Sequence, residues 1–152
     1  MLVLRQTKEI SPGQQRKYFD QFVFSQCASH EPSQILLAIF WEGKFVGYGG
    51  LVHINWDMKW GEISFLLNPG IAEGSQVYIE IWAMFLKLMD LIAFDELCFK
   101  YLYTETYKFR SQHILTLENQ GYKPDLSLEE EELGVKSATH SIFHKKIQGS
   151  LA

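Results

Sequence analysis

Residues 75–94 place the strongest constraint on the fold. Over that stretch Gln76, Glu80, Lys87 and Asp90 share one narrow stripe at helical spacing, while Ile79, Trp82, Phe85, Leu86, Met89 and Phe94 fill the rest of the circumference. A helix so apolar must be covered over most of its surface, and a sheet is the element broad enough to cover it. The same charges exclude a membrane span for the longest apolar segment, Val77 to Phe94, because Glu80, Lys87 and Asp90 would sit in hydrocarbon. Just upstream, Trp60 to Leu67 alternates, with Ile63, Phe65 and Leu67 on one face and Glu62, Ser64 and Leu66 on the other, until Asn68-Pro69-Gly70 stops it.

The rest of the chain supplies matching elements. Leu2 to Gln6 reads as a first strand. Ser11-Pro12-Gly13-Gln14 reads as a helix start with a Ser N-cap, Pro at N1 and a capping box, followed by Tyr18, Phe19, Phe22, Val23 and Cys27 as its buried face. Ile35 to Trp41 and Phe45 to Ile54 form a hairpin around Glu42-Gly43-Lys44. Gly47, Gly49 and Gly50 weaken its second strand, marking either a bulge or bend, or close approach of a ligand. Cys98 to Thr104 is strand-like, Arg110 to Gln120 is a helix closed by Gly121, Tyr122 to Leu126 offers a short extra strand, and Thr139 to Lys145 a last one. The order β-α-β-β-β-α-β-α-β, without repeat or linker, predicts one α/β domain over residues 1–152 with a mixed sheet.

Composition narrows the function. With 47% hydrophobic and 21% charged residues the chain is globular, and a net charge of −4 argues against general nucleic-acid binding, which needs a basic face. Cys27 and Cys98 have neither a second pair nor His at ligand spacing, so no disulfide framework or metal site is expected. Reduced thiols fit a cytoplasmic setting, and Arg5 and Lys8 follow Met1-Leu2-Val3-Leu4 too soon for a signal peptide.

Taken with this element order, Phe45-Val46-Gly47-Tyr48-Gly49-Gly50 and Gly61-Glu62-Ile63-Ser64-Phe65-Leu66-Leu67-Asn68-Pro69 resemble the third and fourth strands of the GNAT (N-acetyltransferase) superfamily. The second of these is closest to the branch acting on protein N-termini, ribosomal proteins and amino sugars. Arg110 to Tyr122 resembles the family's late helix, with Arg110 in place of the usual Asn and Gly121-Tyr122 in place of Gly-Phe. The resemblance implies an acetyl-CoA site. The strand at 60–67 would splay from the next and free backbone groups of Phe65, Leu66 and Leu67 for the pantetheine arm. Ile71, Glu73, Gly74, Ser75 and Gln76 would form the turn that receives the diphosphate at a helix N-terminus, with Arg110 nearby. The turn departs from the family pattern: Ile71 stands where Gln or Arg is usual, Gln76 where a second small residue is, and Glu73 adds a negative charge.

Acetyl transfer to an amine needs a base, an oxyanion donor and protonation of the departing thiolate. By resemblance, Glu62 is the base; read as structure alone, it is a rim carboxylate or a partner of Lys44 or Lys59. The N–H of Leu66 or Phe65 would meet the oxyanion. The family's proton-donating Tyr falls on Leu117, leaving Tyr103, Tyr101 and Tyr107 as substitutes or as packing residues. His53 and His113 are further titratable candidates, or structural histidines. His140 and His144 alternate onto one face of the last strand, lining the acceptor groove or an exposed edge. Trp56 and Trp60 flank Asp57, where aromatic faces suit a sugar or cationic amine, or serve as a lid or subunit contact. Glu129 to Glu132 would attract a cation or simply be solvated. The expectation is an acetyl-CoA-dependent N-acetyltransferase for a small primary amine such as an amino sugar, with His53, Trp56 and Trp60 at the acceptor and a homodimer by analogy with the superfamily. Its rivals are a GNAT-fold binding module without catalysis and a protein or peptide N-acetyltransferase.

Overall fold

The computed structural model describes residues 11–26, 29–127 and 141–149. The expected first strand Leu2 to Gln6, Cys27, the acidic run Glu129 to Glu132 and His140 lie outside these residues. The described elements are α1 (Pro12–Tyr18), continuing through a π-helical turn at Phe19–Val23 into α2 (Phe24–Gln26), then β1 (Ile35–Trp41), β2 (Lys44–Asn55), β3 (Trp60–Leu67), α3 (Gln76–Asp90), β4 (Tyr101–Tyr107), α4 (Ser111–Asn119), β5 (Lys123–Pro124) and β6 (Ser141–Ile147). The six strands form one sheet in the order β1-β2-β3-β4-β6-β5. Every neighbouring pair is antiparallel except β3 and β4, so the sheet is mixed, as expected.

The hairpin β1–β2 turns on Glu42 and Gly43, both left-handed at φ 49° and 76°, the geometry whose twist matches a two-residue connection. The strand glycines admit protein rather than ligand. A Cβ on Gly49 would meet the Phe85 ring of α3 at 2.7 Å. The irregularities of β2 flank them: the pairing slips opposite Ile39/Phe40 and again between Val52 and Asn55.

α3 lies across the sheet as its composition requires. Tyr78, Trp82, Phe85, Leu86 and Met89 pack with Leu51, Ile63, Phe99, Leu102, Leu117 and Tyr122 into one core. Ser75 caps it by accepting from the Tyr78 N–H (3.2 Å), and a π-helical turn at Leu91–Glu96 extends it. Cys98 then adopts φ 53° while the Phe99 N–H donates to the Ala93 carbonyl. That closure uses residues expected in a strand, so β4 starts later, at Tyr101, and runs to Tyr107 along β6. α4 ends in a Schellman motif: Gly121 N–H donates to Glu118, Tyr122 N–H to Leu117, and Gly121 is left-handed at φ 85°.

The capping box of α1 is formed, with Ser11 N–H on Gln14 Oε1 and Gln14 N–H on Ser11 Oγ. Of its expected buried face, Tyr18 is 45% exposed with its hydroxyl donating to Gln34 Oε1, Phe19 and Val23 are half-buried, Phe19 meeting Tyr48 of β2 edge-on, and the Phe22 side chain lies outside the described residues. Periodicity identifies the apolar face of a helix but not whether anything covers it.

Candidate active site

β3 and β4 pair only over Trp60–Tyr101, Gly61–Leu102 and Glu62–Tyr103, although both continue for several residues. Beyond Glu62 they part. Asn68 N–H donates to the Val46 carbonyl of β2, while Ile63 O accepts from Thr104 Oγ1 across the gap (3.2 Å). Because successive residues direct their backbone groups to opposite sides, Phe65 and Leu67 point theirs into the gap and Leu66 points its own at β2. The expected oxyanion donor is thereby narrowed from two residues to Phe65. A cavity of about 240 Å³ occupies the gap, lined among others by His53, Glu62, Phe65, Trp82, Arg110 and His113.

On the sheet face away from α3, Glu62 is 6% exposed. Its partner is His53 rather than Lys44 or Lys59: His53 Nδ1 lies 2.6 Å from Glu62 Oε2. His53 reaches it because β2 bulges there, with His53 itself left-handed at φ 49°, a conformation costing a non-glycine residue about 1–2 kcal/mol. The His53 ring is largely open to solvent, so a buried carboxylate is connected to water through one imidazole. Tyr103 Oη also approaches Glu62 Oε2, at 3.5 Å, the outer limit of a hydrogen bond. Trp60 stacks on Tyr101 and meets Tyr103 edge-on, so it backs this group without lining the cavity. Tyr107, one of the candidate proton donors, and Glu105, which carries no signal in the sequence, continue the Tyr101–Tyr103 face of β4 into the cavity.

On the other face lies the turn before α3. Ile71 packs against the core, and its N–H is used by the Asn68 carbonyl. Ser75 N–H is used by Ala72. The amides of the first helical turn, at Gln76 and Val77, lack intrahelical partners as at any helix start and remain for an anion. Gly74 has φ 82° and sits against Gln112, where a Cβ would meet Cγ at 3.3 Å. Glu73, the misplaced negative charge of the sequence reading, is held by Arg110, whose Nε donates to both carboxylate oxygens at 3.0 Å. Arg110 therefore brings from the start of α4 the cation that residues 61–86 lack.

Arg110 also donates through Nη2 to Tyr78 Oη (2.7 Å), which lies 2.8 Å from His113 Nδ1. His113 stacks on Trp82 at 4.3 Å and 13°. Burial, with the Arg110 charge and His144 adding to it, holds His113 well below the usual imidazole range. Burial pushes Tyr78 up to about 12 against the pull of Arg110. Tyr78 escaped the sequence reading because at helical spacing it looks like one more core aromatic.

Two expectations about position are corrected. Trp56 sits away from the cavity, its Nε1 donating to the Pro32 carbonyl and its ring edge-on to Phe99 at 5.5 Å. His144 is neither at an exposed edge nor in an acceptor groove. It is fully buried on the α4 side with Nε2 3.5 Å from Glu118 Oε1, and among the described residues neither ring nitrogen has a hydrogen bond. Burial lowers its pKa despite the Glu118 carboxylate. Leu117 is fully buried in the core.

Comparison with known proteins assigns the fold. Residues 2–130 match the acetyltransferase (GNAT) domain model. The chain belongs to the GNAT acetyltransferase family. No curated protein matches it by sequence. Among solved structures, the chain resembles spermidine N-acetyltransferase from Vibrio cholerae in complex with CoA and spermine, with a TM-score of 0.68, 12% identity, and coverage of 94% of this chain and 79% of that one. The dodecameric form of that enzyme gives a TM-score of 0.67 at 13% identity over 91% and 75%. The Campylobacter jejuni N-acetyltransferase PseH, solved with acetyl coenzyme A, gives 0.60 at 13% over 95% and 84%. The GNAT fold, the acetyltransferase class and the kind of co-substrate expected from the sequence are those of these relatives. Among the described residues no helix of this GNAT protein is long and apolar enough to cross a membrane.

Proposed function

We infer that this GNAT protein transfers the acetyl group of acetyl-CoA to a small primary amine by direct attack. The observation that carries this reading is the parting of β3 and β4 immediately beyond a buried carboxylate, Glu62, that is hydrogen-bonded to a solvent-open imidazole. In this reading the thioester lies in the gap against the Phe65 backbone. The amine enters from the face of Glu62 and Tyr103, loses a proton to Glu62, and His53 connects that proton to water. Phe65 N–H meets the oxyanion, and the diphosphate lies at the Gly74–Val77 turn beside Arg110. A cavity of about 240 Å³, just below the usual range for ligand pockets, favours a small acceptor over a folded protein. Polyamines, acted on by the spermidine enzyme, and amino sugars are the acceptors to try first, with a short peptide as contrast. The cysteine usage supports a cytoplasmic setting, and size-exclusion chromatography of the purified protein tests the homodimer.

A noncatalytic module is the second reading, favoured by Ile71 turning into the core and by Glu73 occupying Arg110. Titration with acetyl-CoA, followed by thermal shift and by release of free thiol with spermidine, glucosamine and a peptide, separates the two. Stabilisation by roughly 2.7 kcal/mol is expected at a hundredfold excess over the dissociation constant. Glu62→Gln is expected to lower turnover about 100-fold with CoA affinity unchanged. No shift at millimolar acetyl-CoA refutes the enzyme reading, and an unchanged Glu62→Gln turnover removes Glu62 from the base role.

A further inference from the structure

The GNAT proton donor expected on the late helix is missing, because Leu117 stands in its place. One turn earlier on the same helix face is His113. Its orientation follows from the hydrogen bonds around it. Arg110 has only protons to give, so Tyr78 Oη accepts from it and directs its own proton to His113 Nδ1. Nδ1 is then the acceptor nitrogen, and the imidazole carries its proton on Nε2. His113 lines the cavity, and among the described residues Nε2 has no hydrogen-bond partner. The stack on Trp82 fixes the ring plane.

Glu62 faces the same cavity from the opposite face of the sheet, so an acyl group lying in the gap between β3 and β4 has the base on one side and an N–H on the other. We propose that His113 is a catalytic residue whose Nε2–H donates a hydrogen bond to the sulfur of the departing thiolate, taking the place of the absent tyrosine. This rests on the acetyltransferase reading above. The amine nitrogen bonds to the thioester carbon, and the carbonyl pair moves to oxygen. On collapse the C–S bond breaks with its electron pair going to sulfur, and the nitrogen, which gave one proton to Glu62 before attack, gives up one more by the same route to water and keeps its amide N–H. The sulfur accepts the hydrogen bond from Nε2–H and takes its final proton from solvent. His113 keeps its own proton, since replacing it through the relay would leave a tyrosinate at Tyr78. That hydroxyl is held at about 12, some three to four units above an ordinary thiol near 8.5.

The test compares His113→Phe, which keeps a flat ring without a donor, with His113→Gln, which keeps an N–H. Each is assayed with acetyl-CoA and the best acceptor of the amine panel, and CoA affinity is measured by calorimetry. Expected is a fall in kcat of about 100-fold for the Phe variant, a loss within about tenfold for the Gln variant, and CoA dissociation constants unchanged in both. Tyr78→Phe, which frees Nδ1 to hold the proton instead, should lower kcat with little change in KM, and it remains informative if the Phe variant does not fold. Equal losses in the Phe and Gln variants, or a loss carried by CoA affinity, overturn the proposal while leaving the acetyltransferase reading intact. Failure of the wild-type protein to bind acetyl-CoA overturns both.

Discussion

Glu73→Gln should tighten CoA binding, against the ordinary expectation for removing a charged residue from a ligand-binding turn. Arg110 donates through Nε to both oxygens of Glu73, with the Arg side chain 11% exposed and that of Glu73 32% exposed. A diphosphate arriving at the Gly74–Val77 turn must replace that carboxylate on the guanidinium. A hydrogen bond to a charged group contributes about 1.5–3 kcal/mol. The partial exposure of Glu73 lets solvent screen it, which reduces the contribution to about 1–2 kcal/mol. At about 1.4 kcal/mol per decade this predicts a 5- to 25-fold lower dissociation constant for Glu73→Gln. Removing the repulsion between Glu73 and the diphosphate acts in the same direction. Calorimetry with CoA in low and moderate salt reads the effect, and pantetheine, which lacks the diphosphate, is the control: its affinity should not change. The reasoning fails if Glu73→Gln weakens CoA, because Glu73 then orders Arg110 for the ligand rather than competing for it. It fails equally if pantetheine gains as much as CoA.

Gly49→Ala should destabilise the fold by about 1–3 kcal/mol in urea melts, because its Cβ would meet both the Phe85 ring and the β3 backbone, and neither can withdraw from the core without opening it. Stability should fall on acidification below about pH 6.5, the ordinary imidazole value. His113 and His144 are held neutral by burial, so below that pH the unfolded chain binds protons that the native chain does not, and each contributes up to about 1.4 kcal/mol per pH unit until its own depressed value is reached. Denaturation midpoints at pH 7.5 and 5.5 read this, and a flat profile would show that neither imidazole is held neutral. His53→Gly should leave stability within about 1 kcal/mol of the parent, since relief of the left-handed strain offsets the lost contact with Glu62, while turnover falls; an equally active variant excludes the route through His53.

The sequence carried the sheet and its covering helix because their signals are local: alternation over Trp60 to Leu67, Asn68-Pro69-Gly70 as a stop, the narrow polar stripe of residues 75–94, and Gly121 as the close of the late helix. It also held the carboxylate Glu62, because alternation assigns that side chain a face opposite the core. What alternation does not encode is which residues on facing elements meet. His53 appeared to be a lone titratable residue because the bulge that turns it toward Glu62 is a property of how β2 pairs with β3, where two residues of β2 oppose one of β3. Trp56 and Trp60 appeared equivalent around Asp57, yet one is drawn onto Phe99 and Pro32 and the other onto Tyr101 and Tyr103. β4 was displaced because nothing in Cys98-Phe99 announces that these residues close the π-helical turn behind them.

Two of the departures from the GNAT pattern, at Ile71 and Leu117, converge in space. Ile71 removes a cation from the turn, and Leu117 removes a hydroxyl from the late helix, 46 positions later. Arg110 and His113 stand at the opening of α4, three residues apart, and both bond to the same Tyr78 hydroxyl in the first turn of α3. Any movement of Arg110 toward an anion at the turn therefore acts on the hydroxyl that sets the His113 tautomer. If both residues serve the reaction as proposed, diphosphate binding and leaving-group stabilisation are coupled through one oxygen. Tyr78→Phe should then reduce the CoA-affinity gain of Glu73→Gln as well as lowering kcat, an interaction measurable in a double-mutant cycle. Strict additivity would mean that the shared hydroxyl only fills space between the two helices.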